Sequence, residues 1–302
     1  MSATSDARSN DFLRIASQFR LGDLVTEGSH PVTADLSDTA ARDTADALRL
    51  LFDVDDDVVR AFRVFVASGR AAGIATELAG RLRRGGRIFF TGCGSTGRLS
   101  IQLVSIWRDF WQRQRARGLA CAPPPEAWED RAFSVMAGGD FALIKAVEGF
   151  EDFTAFGRKQ IGDLGIASGD AVFGITEGGE TSFVIGTAWQ GVDAGAKVYF
   201  VYNNPDDILC AHVERSREVI QDARIEKINL TTGPMAITGS TRMQATTIQL
   251  AVMLTVLEMV LRDLLSELEP GGPCALEQEG VPERFLAHLE EMLARLKAPA
   301  LL

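Results

Sequence analysis

Along the first part of the chain, apolar residues recur at helical spacing. From Ser37 to Arg84, Val58, Phe62, Val66 and Ile74 stand among Asp and Arg residues, and Gly85-Gly86 supplies a stop. The rhythm then changes. Short β-rich runs occupy Arg87–Phe90, Phe133–Met136, Ala171–Ile175, Lys197–Val201 and Lys227–Leu230, each separated from the next by enough chain for a crossover helix. Strands joined in this way lie parallel and are covered by helices, so the pattern predicts an α/β domain on a five-stranded sheet. Ser240 to Leu268 reads as one long apolar helix, broken by Pro270-Gly271-Gly272-Pro273, and a polar helix follows from Val281 to Lys297. The chain divides into a polar leader and signature segment at 1–36, the α/β domain at 37–268 and a helical extension at 269–302. The leader is expected to be partly disordered, and the extension reads as the end of a one-domain form or as a truncation.

Composition narrows the chemistry. With 31 basic against 41 acidic side chains the net charge is −10, which argues against a general nucleic-acid binder. No run approaches the roughly 20 apolar residues of a membrane span, and the first dozen residues lack the apolar core of a signal peptide. A cytoplasmic address without membrane attachment is expected. Cys93, Cys121, Cys210 and Cys274 stand far apart, and His30, His212 and His288 are the only histidines, read as surface or structural. That leaves little material for a metal centre, a disulfide framework or a Ser-His-Asp triad, and neither metal nor cofactor is expected.

Ligands of open parallel sheets bind beyond the carboxyl ends of the strands, so the loops after the strands matter most. The first, Thr91-Gly92-Cys93-Gly94-Ser95-Thr96-Gly97-Arg98, fits the glycine spacing of a dinucleotide fingerprint, but lacks the acid expected about 20 residues on. Its hydroxyls at a helix start also suit a single phosphate, or serve simply as N-caps. The third strand delivers Thr176-Glu177-Gly178-Gly179-Glu180-Thr181-Ser182, and Thr238-Gly239-Ser240-Thr241-Arg242 opens the long helix. Two such loops on one sheet edge can clasp a phosphate between them, and Arg242 can pair with an anion. Carboxylates surround a glycine in Ala146–Asp152, as a solvated surface or as a general base aimed into the cleft. The basic, proline-interrupted stretch from Gln112 to Trp128 reads as a solvated loop, or as a lid or partner surface.

The runs TGCGSTGRLS, AVEGFED and TGPMAITGSTRM, with the early LVTEGSHPVTADLS, resemble the sugar isomerase (SIS) domain, in the branch of the N-acetylmuramic acid 6-phosphate etherases and the glucokinase regulatory protein. They occur in the same order from Leu24 to Leu265. The resemblance implies a three-layer α-β-α sandwich with extra helices at both ends, binding a sugar phosphate, either a hexose 6-phosphate or N-acetylmuramic acid 6-phosphate. Gly94, Ser95 and Thr96 would touch the phosphate with Thr176, Gly178 and Thr181, and Ser240 and Thr241 would complete the pocket. It also implies a homodimer or a tandem pairing of SIS domains.

Etherases of this branch release D-lactate with two acids. One falls on Glu151. The other falls on Ile106, and no acid replaces it in register, since Asp109 lies about 300° round the helix. Losing one acid–base partner typically costs about 10² to 10⁴ in rate. In lacking that acid the chain is similar to the regulatory protein. Two further departures stand beside it. Glu177 and Glu180 occupy positions that are small or hydroxylic in many SIS domains, and Gln244 follows Met243 where a lysine is usual. The reading is a phosphosugar-binding sensor or regulator, or a diverged enzyme. The alternatives are an etherase or an aldose–ketose isomerase drawing on Glu148, Glu151, Glu177 and Glu180, and a nucleotide-binding domain resting on the glycine spacing alone.

Overall fold

A computed structural model describes residues 21–145, 147, 149–268 and 280–298, with residues 9, 10 and 13. Most of the leader, the Pro270–Pro273 break, Cys274 and Glu148 lie outside the described residues. The N-terminal helical region resolves into α1 (Leu36–Arg42), α2 (Thr44–Val54), α3 (Asp56–Ala67) and α4 (Arg70–Arg83). Asp43 caps α2 by accepting the backbone N–H groups of Ala45 and Asp46, the usual task of a short acidic side chain at a helix start.

Five parallel strands follow: β1 (Ile88–Gly92), β2 (Ala132–Met136), β3 (Ala171–Ile175), β4 (Lys197–Tyr202) and β5 (Ile225–Asn229), in the spatial order β2-β1-β3-β4-β5. Alternate side chains serve two cores. Phe90, Phe173, Tyr199 and Val201 face one side, packed by α4, by α5 (Gly94–Ala116) and by α12 (Gln244–Leu268). Phe89, Val172, Val198 and Phe200 face the other, packed by α8 (Thr154–Gly162), α9 (Ser182–Asp193), α10 (Asp206–His212) and α11 (Glu214–Gln221). A sheet covered on both faces needs apolar residues at every position, which is why these strands read as continuous runs. The result is the α-β-α sandwich. A last helix, α13 (Val281–Leu296), packs on α3 and α12 and places Phe285, Leu286 and Leu289 against the first core.

Three details differ from the expectation. Strand β5 begins at Ile225, two residues early. Helix α12 begins at Gln244, so Ser240–Met243 form the turn before it rather than its first turn. The stretch Gln112–Trp128 is no free lid: α5 runs on to Ala116, and α6 (Pro125–Glu129) returns to bury Trp128, whose ring stacks on buried Trp111 at 5.4 Å. Trp107 Nε1 donates to the Trp128 carbonyl at 2.7 Å, and Arg115 pairs with Glu129 at 3.3 Å. Indole burial holds the basic segment against the domain. Among the described residues no helix is long and apolar enough to cross a membrane.

Candidate functional site

The first loop is shaped by contact between helix and strand. A Cβ on Gly92 would lie 2.5 Å from the Thr96 backbone carbon, and one on Gly97 would meet Met136 Cγ at 2.6 Å. Only glycine lets α5 start so close to the strand ends. Thr96 is buried, and its hydroxyl closes a capping box: it accepts from Cys93 N at 3.0 Å and donates to Cys93 O at 2.9 Å. Ser95 is half-buried, while Gly94 and Arg98 are exposed beside it. Of the two hydroxyls predicted at the loop, one is thus engaged in capping and the other is presented at the surface.

In the second loop Thr176 and Thr181 turn toward each other, Oγ1 to Oγ1 at 2.9 Å, and Thr176 Oγ1 accepts from Gly179 N at 3.2 Å. The loop is tied down from behind, with Asn204 Nδ2 donating to Gly178 O at 2.8 Å and Ser216 to Gly179 O at 2.8 Å. Of the two loop glutamates one is buried and the other partly so. Glu177 is buried and accepts from Thr246 Oγ1 of α12 at 3.1 Å. Glu180 folds over Gly178, with Oε2 buried.

Ser240 and Thr241 are half-buried in the turn before α12, next to exposed Arg242. The departure at Gln244 has a structural account. It is fully buried, its Oε1 accepts from Ala236 N at 2.9 Å and its Nε2 donates to Pro234 O at 2.9 Å, so it fastens the turn from inside. The early signature is explained in the same way. Thr26 and Asn204 exchange two hydrogen bonds, at 3.2 and 3.0 Å, Ser29 bonds Thr238 at 3.0 Å and pairs with Met235 in an isolated bridge. Nearby His30 is buried, bonded to Asp57 at 3.0 Å, a structural histidine. The signature segment is therefore a wall of the second and third loops. Its role escaped the sequence because the contacts are long-range.

A cavity of about 310 Å³ opens between the first loop and the segment after β2, lined by Gly94, Arg98, Met136, Val147, Glu151 and Arg242 among others. Glu151 from the AVEGFED run, Gly94 from the glycine loop and Arg242 from the late motif meet there. Glu151 is held by its main chain, its carbonyl accepting from Phe183 N at 2.9 Å. Below it α8 and α9 cross backbone to backbone: a Cβ on Gly157 would lie 1.9 Å from Phe183 O, and one on Gly186 2.1 Å from Thr154 O. Ile106 does not line the cavity. It lies twelve residues along α5 from Gly94, about 18 Å by helical rise, and is 37% exposed.

The electrostatics are acidic. Burial, helped by Glu180, pushes the Glu177 carboxyl up to about 7 against the opposing pull of its own N–H, Thr246 and Arg242. Burial likewise raises Glu180, with Glu27 and Glu151 adding and Arg215 opposing. The Cys93 thiol is pushed far up by burial and by Glu151, Glu177, Glu180 and Asp152, which keeps it protonated and unsuited to nucleophilic work. Among the described residues no cluster of His, Cys, Asp and Glu is arranged to hold a metal ion. The two guanidinium groups and Gly94 at the cavity suit a phosphate, and Glu151 suits a sugar hydroxyl or proton transfer; none of the hydroxyl residues of the three loops lines the cavity.

Comparison with known proteins bears on the family of the chain. Residues 70–190 match the family described as the glucokinase regulatory protein N-terminal SIS domain. N-acetylmuramic acid 6-phosphate etherases of Yersinia pestis (strain Pestoides F) and Yersinia pseudotuberculosis serotype O:1b are 32% identical over 234 residues, 77% of this chain and 69% of theirs. Among solved structures, a phosphoheptose isomerase from Francisella tularensis is similar at a TM-score of 0.42 and 16% identity, covering 67% of this chain and 93% of that one.

Proposed function

The chain belongs to the SIS-domain family, in the branch of the N-acetylmuramic acid 6-phosphate etherases and the glucokinase regulatory protein, and from that premise we propose that it binds a phosphosugar as a sensor or regulator without acting as an etherase. The observation that carries this reading is that, among the described residues, one carboxylate lines the cavity. Glu151 lines the pocket, while the position of the second etherase acid holds the remote side chain of Ile106. The phosphate would lie against Gly94, Arg98 and Arg242, with Ser95, Ser240 and Thr241 nearby. Thr96, Thr176 and Thr181 shape the loops, since their hydroxyls bond within the protein.

Thermal-shift measurements with fructose 6-phosphate, glucose 6-phosphate, N-acetylmuramic acid 6-phosphate and NAD test the ligand class. Stabilisation by a phosphosugar is expected, and Arg242→Met should weaken it on the order of tenfold or more, the usual worth of a charge-assisted hydrogen bond. Stabilisation by NAD alone would overturn the proposal. Incubation with N-acetylmuramic acid 6-phosphate should release no lactate.

A second reading, a diverged acid–base enzyme, is favoured by one observation. Glu177, with its carboxyl near 7, is tuned to the range where a general acid or base works at neutral pH. Turnover of any of the three phosphosugars, lost in Glu151→Gln and in Glu177→Gln, would establish that reading in place of the first.

A homodimer is part of the proposal. Phe141, Leu143 and Ile144 of α7 (Phe141–Ile144) and the clustered rings of Phe150, Phe153 and Phe156 are exposed next to the cavity. An apolar surface of this kind suits pairing with a second copy. A cytoplasmic setting fits a ligand drawn from sugar-phosphate metabolism.

A further inference from the structure

The second loop carries an anion of its own. Glu180 directly precedes Thr181, the N-cap of α9, where unpaired N–H groups and the helix dipole favour negative charge. Its carboxylate turns back over the loop. A Cβ on Gly178 would lie 2.0 Å from Oε2 and 2.8 Å from Oε1, so the carboxylate rests on the bare face of that glycine. One contact holds it there from within, since the Glu180 backbone N–H donates to the carboxylate. Oε2 is buried and makes no hydrogen bond. Arg215 Nε is directed to the Glu180 carbonyl oxygen. Gly179, at φ +88°, makes the turn that brings residues 178 and 180 together.

We infer that Glu180 is a specificity-determining residue, its carboxylate filling the half of the phosphate cradle that the second loop would otherwise supply. A phosphate laid against Gly178 would displace this group or face a like charge in a poorly solvated pocket. The ligand's phosphate is then held from the first loop and from Arg98 and Arg242, and the site selects against compact anions that need both loops. The inference rests on the reading of the cavity as a phosphosugar site.

Calorimetric titration of the whole chain with inorganic phosphate and with fructose 6-phosphate tests it, comparing the wild type with Glu180→Ser and Glu180→Gln. Serine vacates the space and leaves a hydroxyl, and binding of inorganic phosphate is expected to tighten on the order of tenfold, more than that of fructose 6-phosphate. Glutamine removes the charge and keeps the volume, so a smaller gain is expected. Unfolding curves establish that each variant is folded, and if Glu180→Ser is not, the glutamine variant decides. Unchanged or weaker binding in the folded variants overturns the inference and reduces Glu180 to a helix-capping group. If none of the three proteins binds either probe, the phosphosugar reading falls together with the inference.

Discussion

Glu177 is a carboxylate kept in a place that resists its charge. It is buried against α12, and its carboxyl sits near 7 rather than at the ordinary 4.5. Because the folded-state value is raised, the protonated form is the one the native protein favours. The resulting stability is fully present below about pH 4.5 and is lost as pH rises through about 7, an effect on the order of 3 kcal/mol. Glu177→Gln retains an acceptor for Thr246 and removes the charge. It is expected to melt several degrees above the wild type at pH 8, with the gap closing by pH 5; an equal gap at both pH values would contradict this account. Side-chain direction at this scale is what the sequence could not supply. Ser95 and Thr96 look alike as helix-start hydroxyls, yet only tertiary packing turns Thr96 back onto Cys93. Gln244 looked like a missing charge and is a buried brace, because its partners at Pro234 and Ala236 become visible only once the turn is folded.

Elements were far more legible. Burial on both faces imposes continuous apolar runs on β1, β3 and β4, a constraint written directly into residues 88–90, 171–175 and 197–201. The loops that follow them carry the glycines and hydroxyls that marked the candidate site. Less legible was how α8 and α9 set Glu151 over the cavity, since the close crossing depends on two ordinary-looking glycines. Gly157→Ala forces a methyl group to within 1.9 Å of a carbonyl oxygen, and Gly186→Ala to within 2.1 Å. Each is expected to cost about 1–3 kcal/mol or more, seen as a lower denaturation midpoint. Phosphosugar affinity should fall in parallel as Glu151 moves. Full native stability in Gly157→Ala would show that the crossing relaxes without strain.

At the scale of the whole molecule, the exposed apolar surface beside the cavity has the clearest consequence. A protomer of 32.7 kDa is expected to sediment at twice that mass. Ile144, 83% exposed, and Phe153, 56% exposed, are the side chains to change. Replacing both with Asp should leave the fold intact and yield a monomer, as measured by light scattering after gel filtration. A wild type that is already monomeric would remove the homodimer from the proposal. The bonding of Ser29 to Thr238, 209 residues apart, also says something about how the protein comes into being. The early segment leaves the ribosome about 10–40 s before its partner at ordinary synthesis rates. During that interval the first four strands can assemble, but Arg242, which lines the cavity, emerges only after Thr238. Ligand recognition is therefore among the last properties that the nascent chain acquires.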